Sequence, residues 1–298
     1  FQSQETIAHP EDRQRLRKEL ASCELLGKTE DNKQIYLFNY RADTSIMREI
    51  GRLRELSFRA VGEGTGKKRD IDKYDSYYMH LILWDEYDLE IVGAYRLCDT
   101  ERILSSAGLD SIYTTSLFKY NKEMKPYLYR GLELGRSFVQ PKYWGRRSLD
   151  YLWYGIGALL KNNPQYRYLF GPVSISNNYP TAAKDLLVYF YSHYFGSEQK
   201  PVTAMLPYQV DPLQKEKYAD AFTGDDYKAD FKRMKRMLSD MGCTVPTLYK
   251  QYTEVCEHDG VVFSDFNIDP EFSDCIDGFV IVDIEKLKTN KRKRYIGL

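Results

Sequence analysis

Tyr129-Arg-Gly-Leu-Glu-Leu-Gly-Arg-Ser-Phe-Val-Gln-Pro-Lys-Tyr-Trp-Gly-Arg-Arg-Ser-Leu-Asp-Tyr-Leu-Trp153 is the stretch on which the fold turns. An apolar run ends at Val139, Pro141 and Gly145 break it, and from Arg147 to about Asn162 the apolar residues continue as a helix. The spacing predicts a strand over about 127–139, a turn, and a helix over 147–162, with the next strand over 168–175. Strand, turn, helix and strand form a crossover unit, so an α/β fold with these two strands as parallel neighbours is expected. Two charges, Glu133 and Arg136, stand inside the first strand. In a regular strand residues three apart point to opposite faces, unless a bulge near Gly135 re-aims one of them. The plain alternative is that each charge has a structural partner and no chemistry.

Working outward, residues 10–21 read as a helix, and 24–28 and 34–39 as short strands around a polar turn. Ile46, Ile50, Leu53, Leu56 and Ala60 recur at helical spacing over 45–60, with Ser45 as N-cap. The three glycines and adjacent lysines of 62–68 predict a mobile loop, either a lid or a connector. Alternation over 77–84 and 89–97 around a turn at 85–88 predicts an antiparallel hairpin. Residues 181–195 and the highly charged 211–241 read as helices, and 244–256 and 278–284 as late strands. The basic run 288–294 reads as a solvated tail in preference to a membrane-surface anchor.

Composition narrows the function classes. Among 298 residues, 43 Lys and Arg balance 43 Asp and Glu, which argues against a nucleic-acid binder relying on a large positive field. The 26 tyrosines suit pocket walls with polar tips, or reflect a compositional bias. Cys23, Cys98, Cys243, Cys256 and Cys275 form no CxxC pair, so neither a disulfide framework nor a metal site is indicated, and a reducing cytoplasm fits. The longest nearly apolar stretch, 151–160, is about half the length of a membrane-spanning helix. A start at Phe1 without Met suggests a segment of a longer protein. His80 and His193 read as core histidines, and without a GxSxG elbow a serine hydrolase is not supported.

The strand, Val139-x-Pro141, the glycine turn and the helix together resemble the central motif of the GNAT acyltransferases, whose fold is a mixed central sheet with a splayed strand pair flanked by helices. The resemblance implies that backbone amides at the helix start receive the donor's pantetheine and phosphate, the use that unpaired amides and the helix dipole favour. Here Gly145 is retained, but Arg146, Arg147 and Ser148 stand where the family carries further glycines. That departure favours acyl carrier protein, with one phosphate and an acidic surface, over acetyl-CoA; arginines grip a phosphate in bidentate fashion. The ordered set Arg54-x3-Phe58, Asp72-x2-Asp75, Arg96 and Glu133-x2-Arg136 resembles the acyl-homoserine-lactone synthases, although no tryptophan follows Phe58 closely. Gly93-Ala-Tyr-Arg-Leu97, Leu152-Trp153 and Phe170-Gly-Pro-Val-Ser-Ile-Ser176 are more similar to another GNAT branch: the ornithine- and glycine-lipid N-acyltransferases and long-chain N-acyl amino acid synthases, often labelled hemolysins. Val245-Pro-Thr-Leu-Tyr-Lys-Gln-Tyr252, Asp265-Phe-Asn-Ile-Asp269 and Asp277-Gly-Phe279 resemble the same branch.

The resemblance covers about residues 24–285 and implies an acyltransferase domain there, with a helical insertion near 211–241, a helical lead-in over 1–23 and a basic tail over 286–298. It implies transfer of a long-chain, in some relatives 3-hydroxylated, acyl group from acyl carrier protein or acyl-CoA to an amino acid such as ornithine or glycine, with no permanently bound cofactor. Glu133 is then the base, and Arg136, with Arg96, binds the acceptor carboxylate or shapes the acyl pocket. Arg54, Phe58, Asp72, Asp75, Arg96, Ser174 and Ser176 line the acceptor side, and Val139, Gly145, Arg146, Arg147 and Ser148 hold the donor. Plain alternatives are a turn-cap pair for the two aspartates and strand-end capping for the two serines. The expected setting is the cytoplasm, with room for contact at the inner membrane face and for a fused upstream acyltransferase domain. Competing expectations are a lactone-type signal synthase and a non-catalytic acyl-carrier or lipid-binding module.

Overall fold

The computed structural model describes residues 4–297. In chain order the elements are α1 (Arg13–Leu20), β1 (Glu24–Lys28), β2 (Gln34–Asn39), α2 (Ser45–Arg59), β3 (Met79–Asp85), β4 (Glu90–Asp99), α3 (Thr100–Ala107), β5 (Phe118–Tyr120), α4 (Lys125–Tyr129) and β6 (Gly131–Val139). There follow α5 (Ser148–Asn162), β7 (Tyr168–Ile175), α6 (Thr181–Phe195), β8 (Val202–Ala204), α7 (Pro212–Ala221), α8 (Tyr227–Asp240), α9 (Thr247–Val255), β9 (Val261–Asp269), β10 (Cys275–Asp283) and α10 (Thr289–Tyr295). They form two compact units, one of residues 1–112, 132–166 and 289–298, the other of 113–131 and 167–288.

In the first unit β1, β2, β3, β4 and β6 pair antiparallel in that order. The pleat divides the side chains of β3. Leu81 faces α5, where a Cβ on Gly155 would lie within 2.9 Å of it. His80 faces α2, within reach of Arg54. The apolar stripe of α2, with Ile46, Ile50, Leu53 and Phe58 buried, seals that face. Between β4 and β6, Gly93 stands opposite Val139 and Ala94 opposite Phe138, but Arg96 stands opposite Gly135. Two residues of β4 therefore span three of β6. This is the bulge that the spacing of Glu133 and Arg136 called for. Gly93 lets the strands close here, since a Cβ would sit 2.4 Å from the Phe138 carbonyl oxygen.

In the second unit β7, β10 and β9 pair antiparallel, with Ile276 opposite both Ile175 and Ile268. Tyr249 of α9 donates a 3.0 Å hydrogen bond to the Val173 carbonyl and stacks on Phe263. Among the described residues no helix is long and apolar enough to cross a membrane.

Several expectations need correction. The strand expected over 127–139 begins only at Gly131, because Lys125–Tyr129 close a helical turn led by Pro126. The N-cap of α2 is Thr44, one residue before Ser45, its hydroxyl accepting from the Met47 amide. Residues 211–241 form two helices, broken at Gly224, whose φ is +85°. The strand expected over 244–256 is the helix α9: Pro246 precedes it, and Tyr249, Tyr252 and Val255 are buried one turn apart. Nor is the loop 62–68 left loose. Buried Glu55 accepts from Thr65 N (3.1 Å), Thr65 Oγ1 (2.8 Å) and Gly66 N (2.9 Å), and Arg59 donates to the Lys67 carbonyl. His193 is exposed, stacked on Tyr189.

The basic run 288–294 is not merely solvated. Tyr295 and Ile296 are buried, and Tyr295 and Arg294 both donate to Asp150 of α5. Gly157 allows this contact, since a Cβ there would lie 2.0 Å from the Tyr295 carbonyl oxygen. Backbone blocks that position, so Gly157→Ala should displace α10 and cost about 1–3 kcal/mol. A lowered urea midpoint and faster tryptic cleavage within residues 286–294 are the expected results; an unchanged cleavage rate would show that α10 does not depend on this contact.

Candidate active site

The site grows from the bulge. Directly opposite residues in an antiparallel pair share a face, so Glu133 (opposite Cys98) and Gly135 (opposite Arg96) lie on the α2 side of the sheet. The extra residue, Arg136, takes φ +46° and turns its side chain to that same side, where its Nε lies 3.0 Å from Asp70 and its Nη2 3.8 Å from Asp72. Glu133 and Arg136 thus act on one face although they are three residues apart.

Below them is a closed set of charges. Arg54 of α2, fully buried, donates from Nη1 to Asp75 at 2.7 Å. Arg96 of β4, 1% exposed, donates from Nη1 to Asp72 at 2.6 Å and lies 3.3 Å from Asp75. Asp72 and Asp75 cap the 3₁₀ turn Lys73–Ser76 reciprocally, each carboxylate accepting the other residue's amide. The plain cap alternative and the arginine contacts therefore hold together: the capping box fixes the carboxylates, and the arginines bind their free lone pairs. Three arginines face three aspartates, because Asp70 completes the set through Arg136.

His80, between Arg54 and Asp75, has its tautomer dictated by its partners. An arginine only donates, so Nδ1 accepts from Arg54 Nη2 (3.2 Å) and Nε2 donates to the Asp75 carbonyl (3.2 Å). Burial, with Arg54 second, holds His80 down to about 3, so it is neutral, as a satisfied core histidine. Burial raises the Asp75 carboxyl, but Arg54 and Arg96 outweigh it and hold it well below the usual range. Burial pushes the Asp70 carboxyl up, against the pull of Arg136.

Glu133 accepts a hydrogen bond at Oε2 from the Tyr78 hydroxyl, and both residues are 2% exposed. Sequence reasoning did not find Tyr78. Its only signal was a Tyr-Tyr pair leading into β3, in a chain with 26 tyrosines. Phe58 lies one turn beyond Arg54 on α2, 9% exposed.

The residues expected on the donor side close β6 and open α5. Val139 ends β6, and its carbonyl accepts from the Trp144 indole at 2.6 Å. Gly145 takes φ +73° in the turn, and Ser148 is buried at the helix start. No side chain caps α5, which leaves its first amides without an intrahelical or side-chain acceptor. Arg147 reaches Glu30 at 3.1 Å and Asp150 at 3.4 Å, while the guanidinium of Arg146 lies over the Tyr143 ring. Ser174 and Ser176 belong to the second unit. Ser174 stands opposite Asp277, and Ser176 accepts from the Asn178 amide at 3.2 Å as a strand-end cap.

The acetyltransferase (GNAT) domain family matches residues 53–154, which include the second half of α2, the charged set, β6 and the start of α5. The chain is similar to a glycine N(alpha)-acyltransferase of Bacteroides thetaiotaomicron, 33% identical over 98% of this chain and 90% of that protein. A glycine N(alpha)-acyltransferase of Phocaeicola vulgatus is 32% identical over 98% of this chain and 93% of its own length. An L-ornithine N(alpha)-acyltransferase of Brucella abortus is 30% identical over 49% of this chain and 61% of its own.

The buried histidine sets a pH dependence. The pKa of His80 is depressed on folding, from 6.5 to about 3, so between these pH values the unfolded chain binds the extra proton and stability falls as pH falls. Asp75 acts in the same sense below 3.8, and Asp70, with its raised carboxyl, in the opposite sense above it. The urea midpoint should drop from pH 7 to pH 5, and drop less in His80→Gln; equal drops in both proteins would remove His80 as the cause.

Proposed function

Because the chain belongs to the family of the glycine N(alpha)-acyltransferases, we propose that it moves a long-chain fatty acyl group from the phosphopantetheine thioester of acyl carrier protein to the α-amine of glycine. It is an acyltransferase of the GNAT fold. The amine nitrogen attacks the thioester carbonyl, the C–N bond forms, the C–S bond breaks, and the thiolate leaves and takes up a proton. A thioester is already reactive, so the work left for the protein is to deprotonate the amine, steady the oxyanion and hold the two reactants together.

The observation that carries this reading is the bulge, which sets Glu133 and Arg136 on one face. Glu133 is the base that takes the ammonium proton, directly or through water. Arg136 binds the acceptor carboxylate; its side chain is 13% exposed, against 0% and 1% for Arg54 and Arg96. Those two arginines, with Asp72 and Asp75, act from beneath as positioning residues. The bulged backbone of β6, freed from the ladder, polarises the thioester carbonyl. The uncapped amides of α5 take the donor phosphate, with Arg146 and Arg147 at the rim. Glycine is preferred over ornithine as acceptor because the glycine-acting relatives match nearly the whole chain, and the Brucella abortus ornithine-acting one about half.

The test is incubation with long-chain acyl carrier protein and a pool of amino acids, followed by mass spectrometry. N-acylglycine is expected, reduced by about 10²- to 10⁴-fold in Glu133→Gln. Acylation of ornithine alone would overturn the acceptor, and no N-acyl product from either acyl carrier protein or acyl-CoA would overturn the reaction.

A further inference from the structure

Resting on Glu133 as the base, we propose that Tyr78 is its positioning residue: the phenol holds the carboxylate in its ionised, proton-accepting form and in one orientation. The hydroxyl donates to Glu133 Oε2. That bond ties one carboxylate oxygen to a ring whose position is fixed by its neighbours. The proton passes from the substrate ammonium to Glu133, while Tyr78 keeps its own throughout.

The ring is held for this task from several sides. Tyr74 and Tyr77 meet it edge-on, with centroids 5.9 Å and 5.4 Å away, and the guanidinium of Arg96 lies 5.2 Å from its centroid. The Tyr78 amide donates to the Tyr74 carbonyl at 3.0 Å, tying the ring's backbone to the 3₁₀ turn that Asp72 and Asp75 cap. A phenol has two χ angles, so a ring packed in this way gives its hydroxyl one position. Tyr78 is thus the link between the charged set and the base: Asp75 and Asp72 anchor Arg96, Arg96 seats the ring, and the ring's hydroxyl aims Glu133.

Ionisable groups meet Glu133 from β4, from the segment before β3 and from its own strand. From β4 come Cys98, directly opposite, and Arg96; from the segment before β3 come Tyr78, Tyr77 and Tyr74; Arg136 lies on its own strand. Burial, with Glu133 second, pushes the Cys98 thiol up, so it stays protonated and adds no charge near neutral pH. Burial and Tyr74 push Tyr77 up to about 12, and its hydroxyl is turned to the Ser111 carbonyl. The Tyr78 hydroxyl is hydrogen-bonded to the carboxylate.

A donor to a carboxylate favours its charged form, so removing the donor makes the carboxylate hold its proton to higher pH. In Tyr78→Phe the acid limb of the kcat/KM profile should move up by on the order of one pH unit, the effect of losing a hydrogen bond to a charged acceptor. At neutral pH kcat should fall on the order of tenfold, with KM for glycine little changed. A residue that merely filled space would alter stability and leave the limb in place. Incorporation of 3-fluorotyrosine at position 78 keeps the ring and makes the hydroxyl a stronger donor, so the limb should move to lower pH. This variant decides the matter if Tyr78→Phe fails to fold. An unmoved limb in an active wild-type background, with Glu133→Gln inactive, would overturn the role of Tyr78 alone. Absence of any N-acyl product from the wild type would instead overturn the function on which it rests.

Discussion

One extra residue in β6 sets the geometry of the charged face of the first unit. Remove Arg136 from its left-handed conformation and the strand reverts to strict alternation, turning the guanidinium toward the side of the sheet that Leu81, Ile35 and α5 pack. A charge there would have no partner and would cost several kcal/mol. The left-handed backbone itself costs about 1–2 kcal/mol. The ion pair with Asp70, and Asp72 beyond it, offsets that cost and gives the bulge a reason to persist. Gly93 works from the opposing strand, where any side chain would push β4 away from the Phe138 carbonyl. The local geometry is held from both strands.

The charged set beneath the bulge is better understood as a positioning device than as a source of stability. Each ion taken out of water costs several kcal/mol, and mutual attraction returns that only when geometry is good and every lone pair is used. Here the pairing of three arginines with three aspartates leaves no net charge, and neutral His80 occupies the remaining space without adding any. What the set achieves is order. It locks the turn before β3, holds the two strand-borne arginines in place, and fixes the ring beside Glu133. Removing one member would leave its partner buried and uncompensated, so single substitutions here should couple strongly to each other.

Much of this was legible in sequence, and the failures have physical causes. Periodicity located β1, β2, α2, the β3–β4 hairpin, α5, β7 and α6 within a few residues, because each combines a clear apolar period with turn chemistry at its ends. The pair Glu133 and Arg136 raised the alternative of opposite faces or a bulge near Gly135, and the strand register shows the bulge. In the second unit the same reasoning failed at α9, whose Thr, Tyr and Val residues favour strands individually although their buried members recur every three residues. Strand β9 went unrecognised because Asp265, Asn267 and Asp269 look like turn residues. Asp265 and Asn267 in fact accept from backbone amides of Ala204 and Leu206, and Asp269 caps the following turn. The docking of α10 was hidden because what enables it, the missing side chain of Gly157, lies more than a hundred residues away in sequence.

At the site itself, the strand pattern and the family resemblance found the charges and missed the neutral group that connects them. Glu133 and Arg136 stand out because a charge within an apolar strand needs a reason, and Arg54, Asp72, Asp75 and Arg96 were picked out by the resemblance to the lactone-synthase signature. A tyrosine next to a strand does not stand out, because its ring satisfies the apolar pattern and its hydroxyl is invisible to it. Tyr78 sits in the sequence as an ordinary strand-edge aromatic, and only the fold reveals that its polar end reaches a carboxylate 55 residues away. The same holds for Arg96 and Arg136, which alternation alone would put on unrelated faces. Bulge, cap and ring each turn a local irregularity into a shared direction, and the charges converge only because all three do so on the same side of the sheet.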